Sequence, residues 1–303
     1  MSDHHGPVPP EPPVGELRRG AVRVTLRLAA EPDRVWPALT EPHALASWFG
    51  DFSAPLRVGA DTRLDFGDGD FFTVRPTAIV PGRSVAFDWR FLGVGKPQSV
   101  VWTLRPGAEE GPGSGSVLTV EDHDDTRGPA EAAQLLDGWA DFLTRLGTHM
   151  HTGRNTRYQW RDDIDGSVDL PAEPFRPLRH PAVLDWLPIA VDGFRPAWFF
   201  IVDDEGPRRF AVSDWQLRLD EELTFTVEIP DARTHPACRV STAPAGPGRT
   251  RLSFVHHGWT RLGLAQGRAQ ELRRRFAATW VASLRTARDK ATTAGTGSLG
   301  GTD

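Results

Sequence analysis

The stretch EAAQLLDGWADFLTRLGTHM, residues 131–150, has the hydrophobic spacing of a long amphipathic helix. Its apolar stripe places residues four, three and four positions apart, at Leu135, Trp139, Phe142 and Leu146. Gly128 and Pro129 suit the start of such a helix, and Gly147 is expected to end or loosen it. Two bulky aromatic rings on one stripe indicate that the helix lies against a curved apolar surface.

Strand-like segments come before this helix. Residues 21–29 alternate between apolar and polar side chains, as a half-buried strand does. Pro37 and Pro42 then divide residues 31–49 into two short helices. Turn signals separate six further candidate strands, at residues 51–57, 62–66, 71–80, 84–91, 98–105 and 116–122. Because these strands are close together in the sequence, we expect an antiparallel meander.

The same order of elements occurs a second time. Residues 271–290 form another amphipathic stretch, whose apolar stripe carries Leu272, Phe276, Trp280 and Leu284. Residues 171–181 align with residues 32–42, and Trp186 aligns with Trp48. The offset of about 140 residues between the two copies predicts a duplicated domain and not a short-repeat solenoid.

These patterns divide the 303 residues into two domains. The predicted parts are a disordered tail (1–19), a first domain (20–150), a linker (151–166), a second domain (167–290) and a disordered tail (291–303). The second copy is expected to be degenerate, since its opening strand is weak and Pro174 and Pro177 make its first helix doubtful.

Composition bears on location and partners. A formal net charge of −5 gives no reason to expect a nucleic acid or an anionic membrane as partner. The sequence contains no apolar run long enough to span a bilayer, and its first residues lack the apolar core of a signal peptide. Cys238 is the only cysteine, so no internal disulfide can form, which fits a reducing compartment. We therefore expect a cytoplasmic protein.

Strand alternation predicts which side chains line the space between each sheet and its last helix. In the first domain the predicted ligand contacts are Phe87, Trp89, Trp102, Leu118, Val120, Asp122, Trp139 and Phe142. In the second domain they are Phe225, Val227, Phe254, His256 and Trp280. The simpler alternative is that the aromatic rings only fill the core.

Asp122 and His256 occupy matching positions, where an otherwise apolar inward face becomes polar. One polar group in an apolar cleft can orient a small ligand, and a carboxylate or imidazole there can act as acid or base. Both are therefore candidates for catalysis, and a solvated or turn-capping role near the strand end is the alternative. Adjacent residues of a strand point to opposite faces, so the neighbouring acidic and histidine residues do not predict a metal site.

Three features resemble the SRPBCC superfamily of START-like, birch-pollen-allergen-like proteins: EPDRVWPALTEPHALASWF at residues 31–49, TRLSFVHHGW at residues 250–259, and a tryptophan on the last helix of each half. Within that superfamily, the chain is similar to the branch related to the C-terminal domain of the heat-shock-protein-90 ATPase activator. The resemblance implies an α+β fold of two tandem helix-grip domains, each a curved antiparallel sheet wrapped around a long C-terminal helix. The activator's N-terminal domain has no counterpart here, which disfavours a chaperone role.

Together, the resemblance and the inward faces predict binding of a hydrophobic or aromatic small molecule. The protein would act as a carrier, as a sensor, or in sequestration of a natural product for self-resistance. One alternative is a cofactor-independent enzyme like the polyketide cyclases or dehydratases, with Asp122 or His256 as proton shuttle. Another is a protein-interaction module related to chaperone ATPase activators. We expect no cofactor, and a protein partner stays open.

Overall fold

The computed structural model describes residues 10–18, 20–107, 115–173, 175–179, 184–192, 195–203 and 206–297. The chain separates into two compact units. Unit 1 takes its residues from Met1–Phe66, Phe71–Arg90 and Pro97–Gln159, and unit 2 from Gly67–Asp70, Phe91–Lys96 and Trp160–Asp303. Each unit contains one sheet and one long final helix, so the predicted α+β class of two tandem helix-grip domains is confirmed.

Unit 1 is built on an eight-stranded sheet. Its strands are β1 (Val14–Arg18), β2 (Ala21–Leu28), β3 (Asp51–Phe52), β4 (Thr62–Asp65), β5 (Phe71–Val80), β6 (Ser84–Phe91), β7 (Gln98–Pro106) and β8 (Ser116–His123). The order across the sheet is β1-β2-β8-β7-β6-β5-β4-β3, so the last strand, β8, lies beside β2. Two short helices, α1 (Pro32–Thr40) and α2 (Pro42–Leu45), follow β2 as predicted.

The long helix α3 (Pro129–Thr152) follows β8 and packs on β2. Pro129 occupies the first turn, and the acidic Glu131 lies near the positive end of the helix dipole. The prediction that Gly147 ends the helix is wrong. The helix continues until Gly153, whose left-handed backbone, with φ of 67°, caps it. Gly147 is buried against β2.

Unit 2 is built on a seven-stranded sheet. Its strands are β9 (Ile164–Pro171), β10 (Ile189–Asp192), β11 (Arg195–Asp203), β12 (Gly206–Arg218), β13 (Glu222–Glu228), β14 (Ala237–Pro244) and β15 (Arg249–His257). The order is β10-β11-β12-β13-β14-β15-β9, which places β9 beside the last strand, β15, as β2 lies beside β8 in unit 1. A short 3-10 helix (Trp259–Arg261) follows, and the helix α4 (Gln266–Gly297) packs on β9.

Several segments differ from the sequence prediction. The strand β1 lies inside the predicted tail and pairs with β2 along its whole length. Its side chains are all exposed, so it carries no hydrophobic pattern that predicts a strand. The helix α4 continues past residue 290 to Gly297, through a stretch of mostly small and polar side chains. Residues 1–9 and 298–303 of the predicted tails lie outside the described residues.

The first strand of unit 2 is fully formed, although its sequence pattern predicts it only weakly. The strand β9 begins inside the predicted linker and pairs with β15 from Ile164 to Pro171. Gly166 interrupts its apolar pattern, because Phe254 and Leu284 already fill the space that a side chain would occupy there. Residues 175–179 and 184–188 contain no α-helix, as the prolines predicted, whereas Pro174 itself lies outside the described residues.

The two copies share one equivalent hydrogen bond, which a buried tryptophan donates to a backbone carbonyl. Trp48 donates its indole N–H to the Ala38 carbonyl at 2.9 Å, and Trp186 donates to the Pro177 carbonyl at 2.9 Å. Both rings are buried. These aligned tryptophans are therefore core residues with a satisfied donor. Among the helices that the structure describes, none combines the length and the apolar character needed to cross a membrane.

Candidate functional site

Asp122 is a buried acidic residue on the inner face of the first sheet. It lies on β8, opposite Val22 of β2 and Val100 of β7, and it is fully buried. Burial raises the pKa of the Asp122 carboxyl, and the guanidinium of Arg127 and the indole of Trp139 oppose this rise. The ionised form of Asp122 is therefore stabilised by the Arg127 guanidinium and the Trp139 indole.

Arg127 supplies the opposite charge. Its Nη2 donates to Oδ1 of Asp122 at 2.6 Å, and the Arg127 side chain is only 2% exposed. A turn between β8 and α3 brings the arginine back to the strand, since the backbone N–H and the hydroxyl of Thr126 both donate to Asp124 Oδ1. Sequence reasoning missed Arg127, because an arginine in a short polar loop gives no periodic signal.

Trp139 connects α3 to Asp122. Its Nε1 donates to Oδ2 of Asp122 at 3.1 Å, so each carboxylate oxygen has its own donor. The Trp139 ring stacks on Trp89 with a centroid separation of 5.1 Å and meets Trp102 edge-on at 6.3 Å. The polar contact therefore lies within a cluster of aromatic rings.

Unit 2 repeats this arrangement with a different acceptor. Trp280 of α4 donates its indole N–H to Nδ1 of His256 at 3.2 Å. Because Nδ1 accepts this bond, the neutral imidazole carries its proton on Nε2. Burial lowers the pKa of His256 to about 3; the nearby Pro236 carbonyl opposes the shift, while the charges of His257 and Arg273 add to it. His256 is thus neutral at neutral pH.

The two indole–acceptor pairs occupy equivalent places. Asp122 pairs with Val22 on the opening strand of its copy, as His256 pairs with Ile164. The carboxylate is balanced by an arginine, whereas the neutral imidazole packs on the ring of Trp259 at 5.1 Å. In each unit the pair joins the last helix to the last strand.

The other predicted ligand contacts lie on the same inner faces. Phe142 is half-buried, and each of the remaining side chains is at most 2% exposed: Phe87, Trp89, Trp102, Leu118 and Val120 in unit 1, and Phe225, Val227, Phe254 and Trp280 in unit 2. In unit 1 the rings lie at contact distances, from 3.9 Å between Phe72 and Trp89 to 6.4 Å between Phe142 and Tyr158.

Some buried N–H groups in these clusters have no hydrogen-bond partner among the described residues. They belong to Trp89 and Trp102 in unit 1, and to Trp259 in unit 2. A buried donor without an acceptor costs about 1–3 kcal/mol. These positions therefore favour a molecule that brings an acceptor.

A second buried arginine was also missed. Arg273 of α4 is fully buried and donates to Oδ2 of Asp70 at 2.9 Å and to the backbone carbonyl of Asp68 at 2.5 Å. Burial and the neighbouring Asp70 raise the pKa of Asp68, and Arg273 opposes this rise. All three residues belong to unit 2. The sequence around Asp68 predicted only a turn, because the arginine partner lies about 200 residues away in the chain.

The indole–carboxylate bond should be measurable by substitution. We expect Trp139→Phe to lower the free energy of unfolding of unit 1 by about 1–3 kcal/mol, because Oδ2 of Asp122 loses its donor while buried. Hydrogen exchange of peptides from β8 measures this loss. Trp48→Phe is the matched control for loss of a buried indole N–H, since its partner is a backbone carbonyl and no carboxylate is left unpaired.

Comparison with known proteins identifies relatives of this chain. Residues 29–151 match the family described as activator of Hsp90 ATPase homolog 1-like protein. The crystal structure of DynU16, a protein in the dynemicin biosynthetic locus, is 49% identical and covers 90% of this chain and 100% of its own, with a TM-score of 0.85. Among curated proteins, none matches the sequence.

Other solved structures match about half of the chain. CalU16 from Micromonospora echinospora is 25% identical over 44% of this chain and 66% of its own, with a TM-score of 0.37. Aha1 from Colwellia psychrerythraea is 20% identical over 44% of this chain and 97% of its own, also with a TM-score of 0.37. On the strength of the DynU16 match, the chain belongs to the DynU16 family, within the SRPBCC helix-grip superfamily.

Proposed function

We propose that unit 1 binds a flat hydrophobic or aromatic small molecule between its sheet and α3. The observation that carries this proposal is a continuous set of aromatic rings that runs from buried Trp139 to half-buried Phe72, Phe142 and Tyr158. Aromatic side chains stack on flat apolar ligands, and few polar groups are needed to orient such a ligand.

The rings form a connected path. Trp139 stacks on Trp89, which stacks on Phe72 at 3.9 Å. Phe142 packs against Trp139 at 5.9 Å and reaches Tyr158 at 6.4 Å. Because these are contact distances, a ligand enters by replacing ring–ring contacts with ring–ligand contacts. Because Phe142 is half-buried and touches Trp139, we take rotation of its side chain as the movement that starts this exchange.

Unit 1 is the better candidate of the two because its opening elements add rings to the cluster. Phe49, at the end of the α2 region, stacks with Trp48 at 5.0 Å and meets Phe142 at 4.8 Å. The aligned position after Trp186 is Leu187, so unit 2 lacks this ring. Position 142 is likewise matched in α4 by Ser283, which has no ring.

DynU16 gives the proposal a biological setting. That protein lies in the dynemicin biosynthetic locus. A ligand from a biosynthetic route would make the present protein a carrier, a sensor, or a sequestering protein that protects its host from a natural product. All three roles use the same binding step.

A cyclase- or dehydratase-like enzyme is the second candidate. It is favoured by the raised pKa of buried Asp122, which suits an acid–base role. Both carboxylate oxygens of Asp122, however, accept hydrogen bonds from Arg127 and Trp139. His256 accepts a hydrogen bond from Trp280, and its pKa is about 3. These contacts favour a role in holding helix to sheet, so binding is the better supported function.

Titration of the full chain with fluorene, a flat apolar probe, tests the proposal. We expect saturable binding by calorimetry, weakened about twofold to tenfold by Trp139→Leu, since one stacking contact is lost. The equivalent substitution in the other copy, Trp280→Leu, is the matched control and should leave the affinity unchanged. Circular dichroism checks that both variants are folded. Equal weakening by the two variants, or no fluorene binding, would contradict the assignment to unit 1.

A further inference from the structure

The unpartnered polar atoms in the interior of unit 1 are all donors. They are Nε1 of Trp89, Nε1 of Trp102 and Nε of Arg127. The two tryptophans are each 2% exposed, and the Arg127 side chain is also 2% exposed. Among the described residues of this unit, no buried side-chain acceptor is left without a partner. The interior thus offers hydrogen-bond donors and has no acceptor in need of one.

The donors surround the ring that anchors α3. The Trp89 and Trp102 rings both contact Trp139, from its stacked face and at right angles respectively. Phe87 lies between them, at 5.9 Å from Trp89 and 5.3 Å from Trp102. A flat molecule that displaces contacts around Trp139 therefore comes within reach of an indole N–H.

The buried charges of this interior bear on which charge a ligand can carry. Asp122 and Arg127 form a close ion pair whose side chains are 0% and 2% exposed. A bound ion would have to lose its hydration shell, and an anion would also meet the buried carboxylate of Asp124, which is 8% exposed, so a charged ligand is costly here. An acceptor atom on the ligand would satisfy one of these buried indole N–H groups, each of which costs free energy while it lacks a partner.

From these observations we infer that the unit 1 ligand is an uncharged aromatic molecule that buries a hydrogen-bond acceptor, as an aromatic ketone does. This inference rests on the proposed function and narrows its ligand class. The ketone oxygen accepts from the indole N–H of Trp89 or Trp102, while the rings of the ligand take up the stacking contacts. The nature of the acceptor, and not only apolar area, then determines which molecules are selected.

Three probes of the same shape test this selection on the full chain: fluorene, fluorenone and fluorene carboxylate. Fluorenone adds one carbonyl acceptor to the fluorene skeleton, and the carboxylate adds a negative charge. We expect fluorenone to bind about fivefold to tenfold more tightly than fluorene, as one neutral hydrogen bond would give. The carboxylate should bind most weakly. Calorimetry gives all three affinities without reliance on tryptophan emission.

Substitutions that remove single donors locate the acceptor contact. Trp89→Phe and Trp102→Phe each keep an aromatic ring, and at least one of them should reduce the preference for fluorenone over fluorene to near unity. Trp259→Phe is the matched control, because its indole N–H is equally unpartnered but lies in unit 2. It should retain the full preference. Since two unit 1 variants are available, misfolding of one does not prevent the test.

The outcomes separate the inference from the proposed function. Equal affinities for fluorene and fluorenone would overturn the acceptor requirement while leaving small-molecule binding intact. Tightest binding of the carboxylate would overturn the requirement for an uncharged ligand. Loss of the preference only in Trp259→Phe would move the acceptor contact to unit 2 and refute the assignment made here. Failure of all three probes to bind would refute the proposed function itself.

Discussion

Replacement of Asp122 by alanine is expected to lower the free energy of unfolding of unit 1 by about 3–5 kcal/mol. The substitution leaves the Arg127 guanidinium buried without its counter-charge, and it removes the acceptor of the Trp139 indole. Loss of one partner of a buried ion pair costs more than the pair contributes, because the remaining charge is desolvated and unbalanced. Hydrogen exchange of β8 peptides in the full chain reports the change in unit 1 alone.

A double substitution distinguishes charge burial from loss of packing. Asp122→Ala combined with Arg127→Met should recover a large part of the lost stability, because no buried charge remains. Asp122→Asn keeps an acceptor for Trp139 but removes the negative charge, so it isolates the electrostatic part. Asp125→Ala is the surface control, since this exposed neighbour should change stability little. Additive effects of Asp122→Ala and Arg127→Met would show that the two side chains are not coupled.

Acid is expected to destabilise unit 2 through His256. The pKa of this imidazole is lowered to about 3 in the folded protein, whereas the unfolded chain takes up a proton near the ordinary value of 6.5. Between these values the unfolded state binds more protons than the folded state. The contribution of His256 to stability is therefore fully present above pH 6.5 and is lost as the pH falls towards 3. The slope is at most about 1.4 kcal/mol per pH unit.

Variants isolate this contribution from that of the acidic residues. His256→Gln removes the titrating group, so the free energy of unfolding of unit 2 should depend less on pH between 3 and 6.5 than in the natural chain. His257→Gln, at a half-buried neighbouring position, should retain most of the dependence, because burial is the main cause of the lowered His256 pKa and the charge of His257 only adds to it. The raised pKa of Asp68 acts in the opposite direction and remains in all three proteins, so it cancels in the comparison. Equal slopes for His256→Gln and the natural chain would refute this account.

The sequence predicts the elements that bury an apolar face and fails where that signal is missing. Strand alternation places Asp122 and His256 on the inner faces, where the structure has them fully buried. The strand β1 has only exposed side chains, and its pairing with β2 depends on backbone hydrogen bonds that every residue can make. A pattern of hydrophobic residues therefore cannot indicate it.

The polar contacts of the candidate site were beyond sequence reasoning for another reason. The indole N–H of Trp139 meets Asp122, but that contact depends on where α3 lies against the sheet. Arg127 reaches the same carboxylate through the turn at Asp124, and Arg273 reaches Asp68 across about 200 residues of sequence. Periodicity shows which way a side chain faces, and it does not show which partner is opposite.

The different acceptors in the two copies also limit how either can evolve. To change Asp122 into histidine in one step would leave Arg127 buried beside a neutral ring. To change His256 into aspartate would bury a carboxylate while Arg261, which follows it by five residues as Arg127 follows Asp122, is 69% exposed and paired with Asp162. We therefore expect each of these single mutants to be less stable than the natural chain. This epistasis would have kept the copies on separate paths once they had diverged, so a hybrid made by exchange of these single residues should fold worse than either parent sequence.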